Sequence, residues 1–139
     1  VYEIQQATDV TYRFYDYHRK DAQGNERPLH LEQAIACVDY ALSASDAHPP
    51  VVTQALDAAE MTTFIRDESF CVSRFVVWGA QPLRFSGYQL FTVVAGEGLA
   101  DELPLSMGVN FLLPAGDSVT ISGDVTLMAT CECETILLA

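Results

Sequence analysis

Gly108-Val109-Asn110-Phe111-Leu112-Leu113-Pro114-Ala115-Gly116 is the stretch on which the fold turns. A glycine admits a tight turn, and the mainly apolar residues after it suit a short strand. Pro-x-Gly then closes that strand with a second turn that sends the chain back. The same grammar runs outward in both directions. Upstream, strands are expected over 61–66, 70–78 and 89–94; downstream, over 118–122 and 125–131, with 135–138 as a further candidate. Gly79, Pro82, Gly87, Gly96-Glu97-Gly98, Pro104 and Gly123-Asp124 punctuate them. Strands this short, separated by glycine and proline, predict an antiparallel β-sandwich or jelly roll over 51–139.

Before Val51 the text is different. Leu31, Ala34, Ile35, Val38 and Leu42 recur at three- and four-residue spacing, which predicts an amphipathic helix within 29–42, entered past Pro28 and packed outside the β domain. The segment 43–50 ends in Pro49-Pro50 and reads as a linker, because proline stops a helix and favours extended chain. Residues 19–28 form a charged turn. In the opening residues Tyr2, Ile4 and Gln6 alternate with Glu3 and Gln5, and Val10, Tyr12 and Phe14 with Thr11, Arg13 and Tyr15. That period of two predicts a hairpin of strands 1–6 and 10–17 around Ala7-Thr8-Asp9. Such a hairpin at a chain terminus, with no initiator Met, reads as the end of a larger sheet.

Of the 139 residues 50% are hydrophobic, enough for a substantial core, and no apolar run is long enough to cross a bilayer. A net charge of -12 argues against a nucleic-acid partner, since phosphates would be repelled. The charge is uneven. Residues 1–27 hold four bases against five acids, whereas 28–139 hold three bases against fourteen acids, so an anionic ligand is tolerated best near the amino terminus. Four cysteines stand at 37, 71, 131 and 133. Cys37 in the helix and Cys71 in a strand read as small core hydrophobes. Cys131 and Cys133 share one face of the last strand, a poor geometry for a mutual disulfide. No Cys-x-x-Cys or nearby histidine completes a zinc set, so reduced thiols, a cytoplasmic setting and no metal on this chain are expected.

Gly108-x5-Pro114-x-Gly116, taken with Val93-Val94-Ala95-Gly96-Glu97-Gly98 upstream, resembles the paired motifs of the cupins, small jelly-roll barrels. Metal-binding cupins would place a histidine at Val119 and a glutamate at Gln89; here the barrel pattern remains without those ligands. A longer likeness covers nearly the whole chain. The opening 1–21, Arg27-Pro28-Leu29-His30-Leu31-Glu32-Gln33-Ala34-Ile35, Phe70-Cys71-Val72-Ser73-Arg74-Phe75-Val76-Val77-Trp78-Gly79 and the two glycine motifs are together similar to the carboxy-terminal part of type I mannose-6-phosphate isomerases, the short bacterial branch.

That resemblance implies two cupin-like barrels in a parent chain. The first would hold zinc and interconvert mannose 6-phosphate and fructose 6-phosphate; the second would be metal-free. Residues 1–20 would be closing strands of the catalytic barrel, 21–50 turn, helix and linker, and 51–139 the complete second barrel. This chain would then be a fragment lacking the zinc-ligand segments and inactive alone. Its exposed opening strands would pair with the missing amino-terminal half or with a second copy.

Arg13 matches the family's active-site arginine. Moving a carbonyl between C1 and C2 passes through an enediolate, and a permanently protonated guanidinium stabilises its oxygen without acting as base. Spacing alone equally allows Arg13 to be a rim residue paired with Asp9 or Asp16. Glu3, Gln5 and Gln6 could hydrogen-bond sugar hydroxyls or form the polar face of a strand. Arg19 and Lys20 suit a phosphate by charge, though charged residues after a strand are commonly just solvated. His30 suits a cap or an interdomain contact. Phe70, Phe75 and Trp78 are expected in the core, and Arg74 paired with an acid across the sheet. The rival to an isomerase part is a stand-alone metal-free cupin module that binds a sugar or a regulatory ligand.

Overall fold

A computed structural model describes residues 3–4, 10–41, 51–66, 68–132, 135 and 137–138. They fall into two units, Val1–Ala47 and His48–Ala139. The second contains β1 (Val52–Ala55), β2 (Ala59–Arg66), β3 (Cys71–Val77), β4 (Gln81–Arg84), β5 (Gln89–Ala100), β6 (Leu103–Ser106), β7 (Asn110–Leu113) and β8 (Ser118–Cys131). Every pairing is antiparallel. β5 and β8 pair along most of their length and serve two sheets. Their halves Leu90–Val93 and Leu127–Thr130 lie in the order β1-β2-β3-β8-β5-β7; their other halves lie in the order β4-β8-β5-β6. The result is a cupin-like jelly roll whose sheet does not close into a ring among the described strands.

The glycines expected to end strands do something else. Glu97 pairs with Asp124 and Gly98 with Gly123, so both segments lie inside the long strands, and 118–122 and 125–131 are one strand rather than two. A bulge between Val93 and Ala95 turns the ladder there. The two backbones approach so closely that a Cβ on Gly96 (φ +75°) would sit 2.1 Å from the Asp124 carbonyl oxygen. Glycine marks contact between strands here, not their termination. Pro82 and Pro104, also expected as breaks, lie in β4 and β6, each of which has a single neighbour among the described strands and so can spare a ladder N–H. The carboxy-terminal segment adds one bridge, Phe85 to Leu137, where a strand was expected.

Alternation along the strands sends Phe75, Val77, Leu83, Phe85, Phe91, Val93, Ile121, Val125 and Leu127 inward, each at most 3% exposed. Phe75, Phe85 and Phe91 lie with ring centroids 6.0–6.2 Å apart, and Phe111 stacks on Phe91 at 4.9 Å. Phe75 is core as expected. Trp78 is not: it follows the last residue of β3 and is 56% exposed. Arg74 also departs from expectation. It faces outward, over the Phe64 ring at 5.4 Å, and no ion pair holds it among the described residues.

In the first unit the expected helix shortens to α1 (Leu31–Ala36). Beyond Cys37 the Asp39 carboxylate accepts the Ala41 N–H at 2.9 Å, a local turn that competes with helical bonding. Only Ala34 of the helix is buried, while Leu31, Ile35, Val38 and Cys37 are exposed, so Cys37 is not the small core hydrophobe that its place in the pattern predicted. The expected hairpin is also absent where it can be judged. Residues 10–17 carry no strand, nor do Glu3 and Ile4; the rest of 1–6 and the linker 43–50 lie outside the described residues. A strand needs a ladder partner, and the Arg13 backbone instead exchanges hydrogen bonds with His30.

Candidate functional site

The charged turn assembles the one dense cluster of cations in the chain. Asp21 nucleates it. Its Oδ1 accepts the N–H groups of Gln23 and Asn25, both at 2.9 Å, and Gly24 takes the left-handed φ of +86° that the turn requires. The Asn25 backbone hydrogen bond, ahead of its other partners, holds the Asp21 carboxyl below the usual range. Folding back at this turn places Lys20 opposite Glu26 and brings Arg27 to Asp16. Arg27 grips that buried carboxylate with two donors, Nε to Oδ2 at 2.7 Å and Nη2 to Oδ1. The Arg27 hydrogen bond is the main cause that lowers the Asp16 pKa, against the opposing effect of burial, and the charges of Arg13 and Arg19 add to it. Arg27 is raised in turn.

Arg13 is half-buried beside this pair. Its backbone N–H donates to His30 Nδ1 at 3.2 Å, and the His30 N–H donates to the Arg13 carbonyl at 2.8 Å. Because Nδ1 is the acceptor, a neutral His30 carries its proton on Nε2. The Arg13 Nη1 reaches the Pro28 carbonyl at 3.5 Å, and no carboxylate pairs with its guanidinium among the described residues. Asp16, one of the two partners that spacing offered it, belongs to Arg27.

Of the other candidates, Arg19 is exposed and lies 5.8 Å from the Tyr17 ring centroid, and Lys20 and Glu3 are exposed. Gln5 and Gln6 lie outside the described residues. Arg27 is the residue that sequence reading passed over. Its signal was there, an arginine eleven residues from an aspartate across a glycine turn, but the register of that turn is not written in spacing. The crevice between Tyr15, Asp16, His18, Arg19, Glu26, Arg27 and Leu29 measures about 50 Å³, room for a water or two rather than for a hexose phosphate.

The described residues do not fit zinc. His18 faces Glu26 at 3.3 Å, His30 is held by Arg13, and no three His, Cys, Asp or Glu side chains converge among the described residues. In the barrel, Val119 belongs to the apolar core and Gln89 is buried with its side chain hydrogen-bonded to the Cys131 thiol. Neither can ligate as the corresponding histidine and glutamate would. The larger cleft of the β unit, about 640 Å³, is open and lined by Arg84, Asp101, Phe111 and Asp117; the Arg84 Nε is already committed to the Gly116 carbonyl at 2.9 Å. No helix among the described residues is long and apolar enough to cross a membrane.

No family model matches the sequence. The chain is 34% identical over 136 residues to the mannose-6-phosphate isomerase ManA of Bacillus subtilis, a match over 94% of this chain and 41% of that protein. It is 31% identical over 136 residues to the mannose-6-phosphate isomerase of Streptococcus mutans, with 94% and 42% covered. Its fold superposes on the crystal structure of the mannose 6-phosphate isomerase from Bacillus subtilis with a TM-score of 0.78 and 28% identity, over 89% of this chain and 41% of that one. An RmlC-like cupin protein from Ralstonia eutropha, at 13% identity and a TM-score of 0.50, shares the fold over 70% of this chain and 71% of its own. The chain thus spans about two fifths of the length of the curated relatives that it matches. It corresponds to the carboxy-terminal part of the mannose-6-phosphate isomerase family, carried on a cupin-like β fold.

Proposed function

We propose that this chain is the carboxy-terminal region of a zinc-dependent, cytoplasmic mannose-6-phosphate isomerase that interconverts mannose 6-phosphate and fructose 6-phosphate. Residues 1–20 complete the catalytic barrel, 21–50 lead out of it, and 51–139 form a second barrel that holds no metal. The zinc ligands belong to the part of the parent enzyme outside this chain, and the chain alone is inactive. The observation that carries the reading is Arg13: a half-buried arginine, fixed through its backbone to His30, with no carboxylate on its guanidinium among the described residues. An arginine already neutralised by a carboxylate would do little for a developing anion. Of the two carboxylates that spacing offered it, Asp16 is held by Arg27 and Asp9 lies outside the described residues; the Arg13 guanidinium is the charge assigned to the enediolate oxygen formed as a proton moves between C1 and C2. Asp16 and Arg27 hold the surrounding chain, and Arg19 and Lys20 add positive potential toward a phosphate.

The test is complementation. The chain is assayed for isomerisation with added zinc, alone and after co-expression with an amino-terminal half taken from a relative such as the Bacillus subtilis ManA. Activity only in the combined sample supports the reading. Turnover by this chain alone, or none after a complex has been shown to form, overturns it.

A further inference from the structure

The sequence offered Cys71 as a lone core residue and Cys131 as a neighbour of Cys133; the fold makes Cys71 and Cys131 a pair. They stand directly opposite in the β3–β8 ladder, Cys71 as the first residue of β3 and Cys131 as the last of β8. Both are buried, at 2% and 6% exposure, and both face the inside of the sheet with Phe75 and Leu127 two rungs away. Their surroundings are polar. The Cys131 thiol is in hydrogen-bond contact with the side chains of Cys71, Gln89 and Thr135, and the Cys71 sulfur lies 3.8 Å from the Ser73 hydroxyl. Ser73 in turn meets Thr63 at 3.0 Å. Burial is the main cause that raises the Cys131 pKa, with the Gln89 hydrogen bond opposing it.

Directly opposed residues of an antiparallel ladder have Cα atoms about 4.5–5.5 Å apart. That lies inside the window of about 4.4–6.8 Å that a disulfide spans. We propose that Cys71 and Cys131 form a cross-strand dithiol site that a peroxide converts to a disulfide joining β3 to β8.

The chemistry balances in two steps. The thiolate of one cysteine attacks a peroxide oxygen, the O–O bond breaks, and a sulfenic acid and one water are formed. The second thiol then displaces hydroxide from that sulfenic sulfur; the S–S bond forms, and the hydroxide leaves as a second water with the thiol's proton. Two thiols are oxidised by two electrons and the peroxide is reduced by two. Access comes at the strand ends, where Glu132 beside Cys131 is exposed and where ladders open most easily.

The full chain is exposed to hydrogen peroxide, quenched with an alkylating agent and digested with trypsin and a glutamyl endopeptidase. Cleavage after Arg66, Arg74 and Glu132 separates Cys71, Cys131 and Cys133 onto different peptides. The expected product has lost two hydrogens, about 2 Da, with the Cys71 and Cys131 peptides joined until a reductant is added. Cys37→Ser leaves that product unchanged and Cys71→Ser abolishes it. The map of the unsubstituted chain decides by itself should Cys71→Ser not fold. A link from Cys131 to Cys133, retention of both thiols, or addition of oxygen to Cys71 or Cys131 without a link overturns the proposal.

Discussion

Replacing Gly96 by alanine tests the step on which the jelly roll depends, the close approach of β5 and β8. Two penalties combine at that position. The φ of +75° is one that an alanine adopts only with strain, about 1–2 kcal/mol. The new Cβ would also stand 2.1 Å from the Asp124 carbonyl oxygen and 3.0 Å from the Val125 Cα, both backbone atoms of the strand that β5 pairs with. Forcing the two backbones apart belongs with overpacking, which costs about 1–3 kcal/mol and sometimes more. Gly116 separates the two terms, since its φ of +78° is nearly the same and a Cβ there meets nothing within 4 Å. Gly116→Ala therefore carries the dihedral cost alone, about 1–2 kcal/mol, and Gly96→Ala the sum, about 2–5 kcal/mol. Urea unfolding followed by circular dichroism reads both variants against the parent, with the m-value checked for constancy. Equal losses within about 0.5 kcal/mol would show that β5 and β8 give way freely, and the argument from close approach would fail.

Further expectations follow from the same contacts. Phe91→Ala removes the ring that meets Phe75, Phe85 and Phe111, and should cost about 3–5 kcal/mol in the same unfolding assay. The Asp16 pKa is lowered in the folded chain, so its pairing with Arg27 is fully present above the ordinary carboxylate pKa and is lost as pH falls through the lower folded value. NMR titration should place the Asp16 midpoint below about 3.9, and a midpoint at or above that would remove the Arg27 bridge from the account. In the assembled enzyme Arg13→Ala should lower the isomerisation rate by about 10²–10³ with zinc content unchanged; near-normal turnover would take Arg13 out of the active site.

Much of the β unit could be read before folding. The strands that hold Phe75, Phe91, Leu127 and Val125 were expected from short β-rich runs between glycines and prolines, and Phe75 takes the core place expected of it. The glycines misled for a physical reason. A sequence shows that Gly96 and Gly123 lack a Cβ; it does not show whether the freedom serves a turn within one strand or contact between two, which depends on the partners Val125 and Gly98 on the other strand. The first unit misled in the opposite way. Val10, Tyr12 and Phe14 alternate with Thr11, Arg13 and Tyr15 as a strand would, yet strand formation is a property of pairs, and the Arg13 backbone is engaged by His30. The same limit hid Arg27 as the partner of Asp16, and Cys71 as the partner of Cys131. Each is a relation between segments, set by register.

The two glycine motifs and the residues that a metal-binding barrel would use for ligation have separable roles. Gly108–Gly116 supplies the turn, the β7 strand and the return, and it does so whether or not the next inward residue is a histidine. Val119 takes that inward position and joins the core around Phe85, Leu83 and Ile121. Gln89 keeps its polar character, buried at the other end of the motif pair, but a neutral amide there serves the Cys131 thiol by hydrogen bonding. An interior packed with Phe75, Phe85, Phe91 and Phe111 is held together by apolar burial and ring contacts. In the other unit the charges of Arg27, Arg13 and Arg19 all act on the single buried carboxylate of Asp16. That aspartate answers Arg27 by a bidentate pair and Glu26 faces His18, so the four bases and five acids of residues 1–27 come close to balance on an otherwise strongly acidic chain.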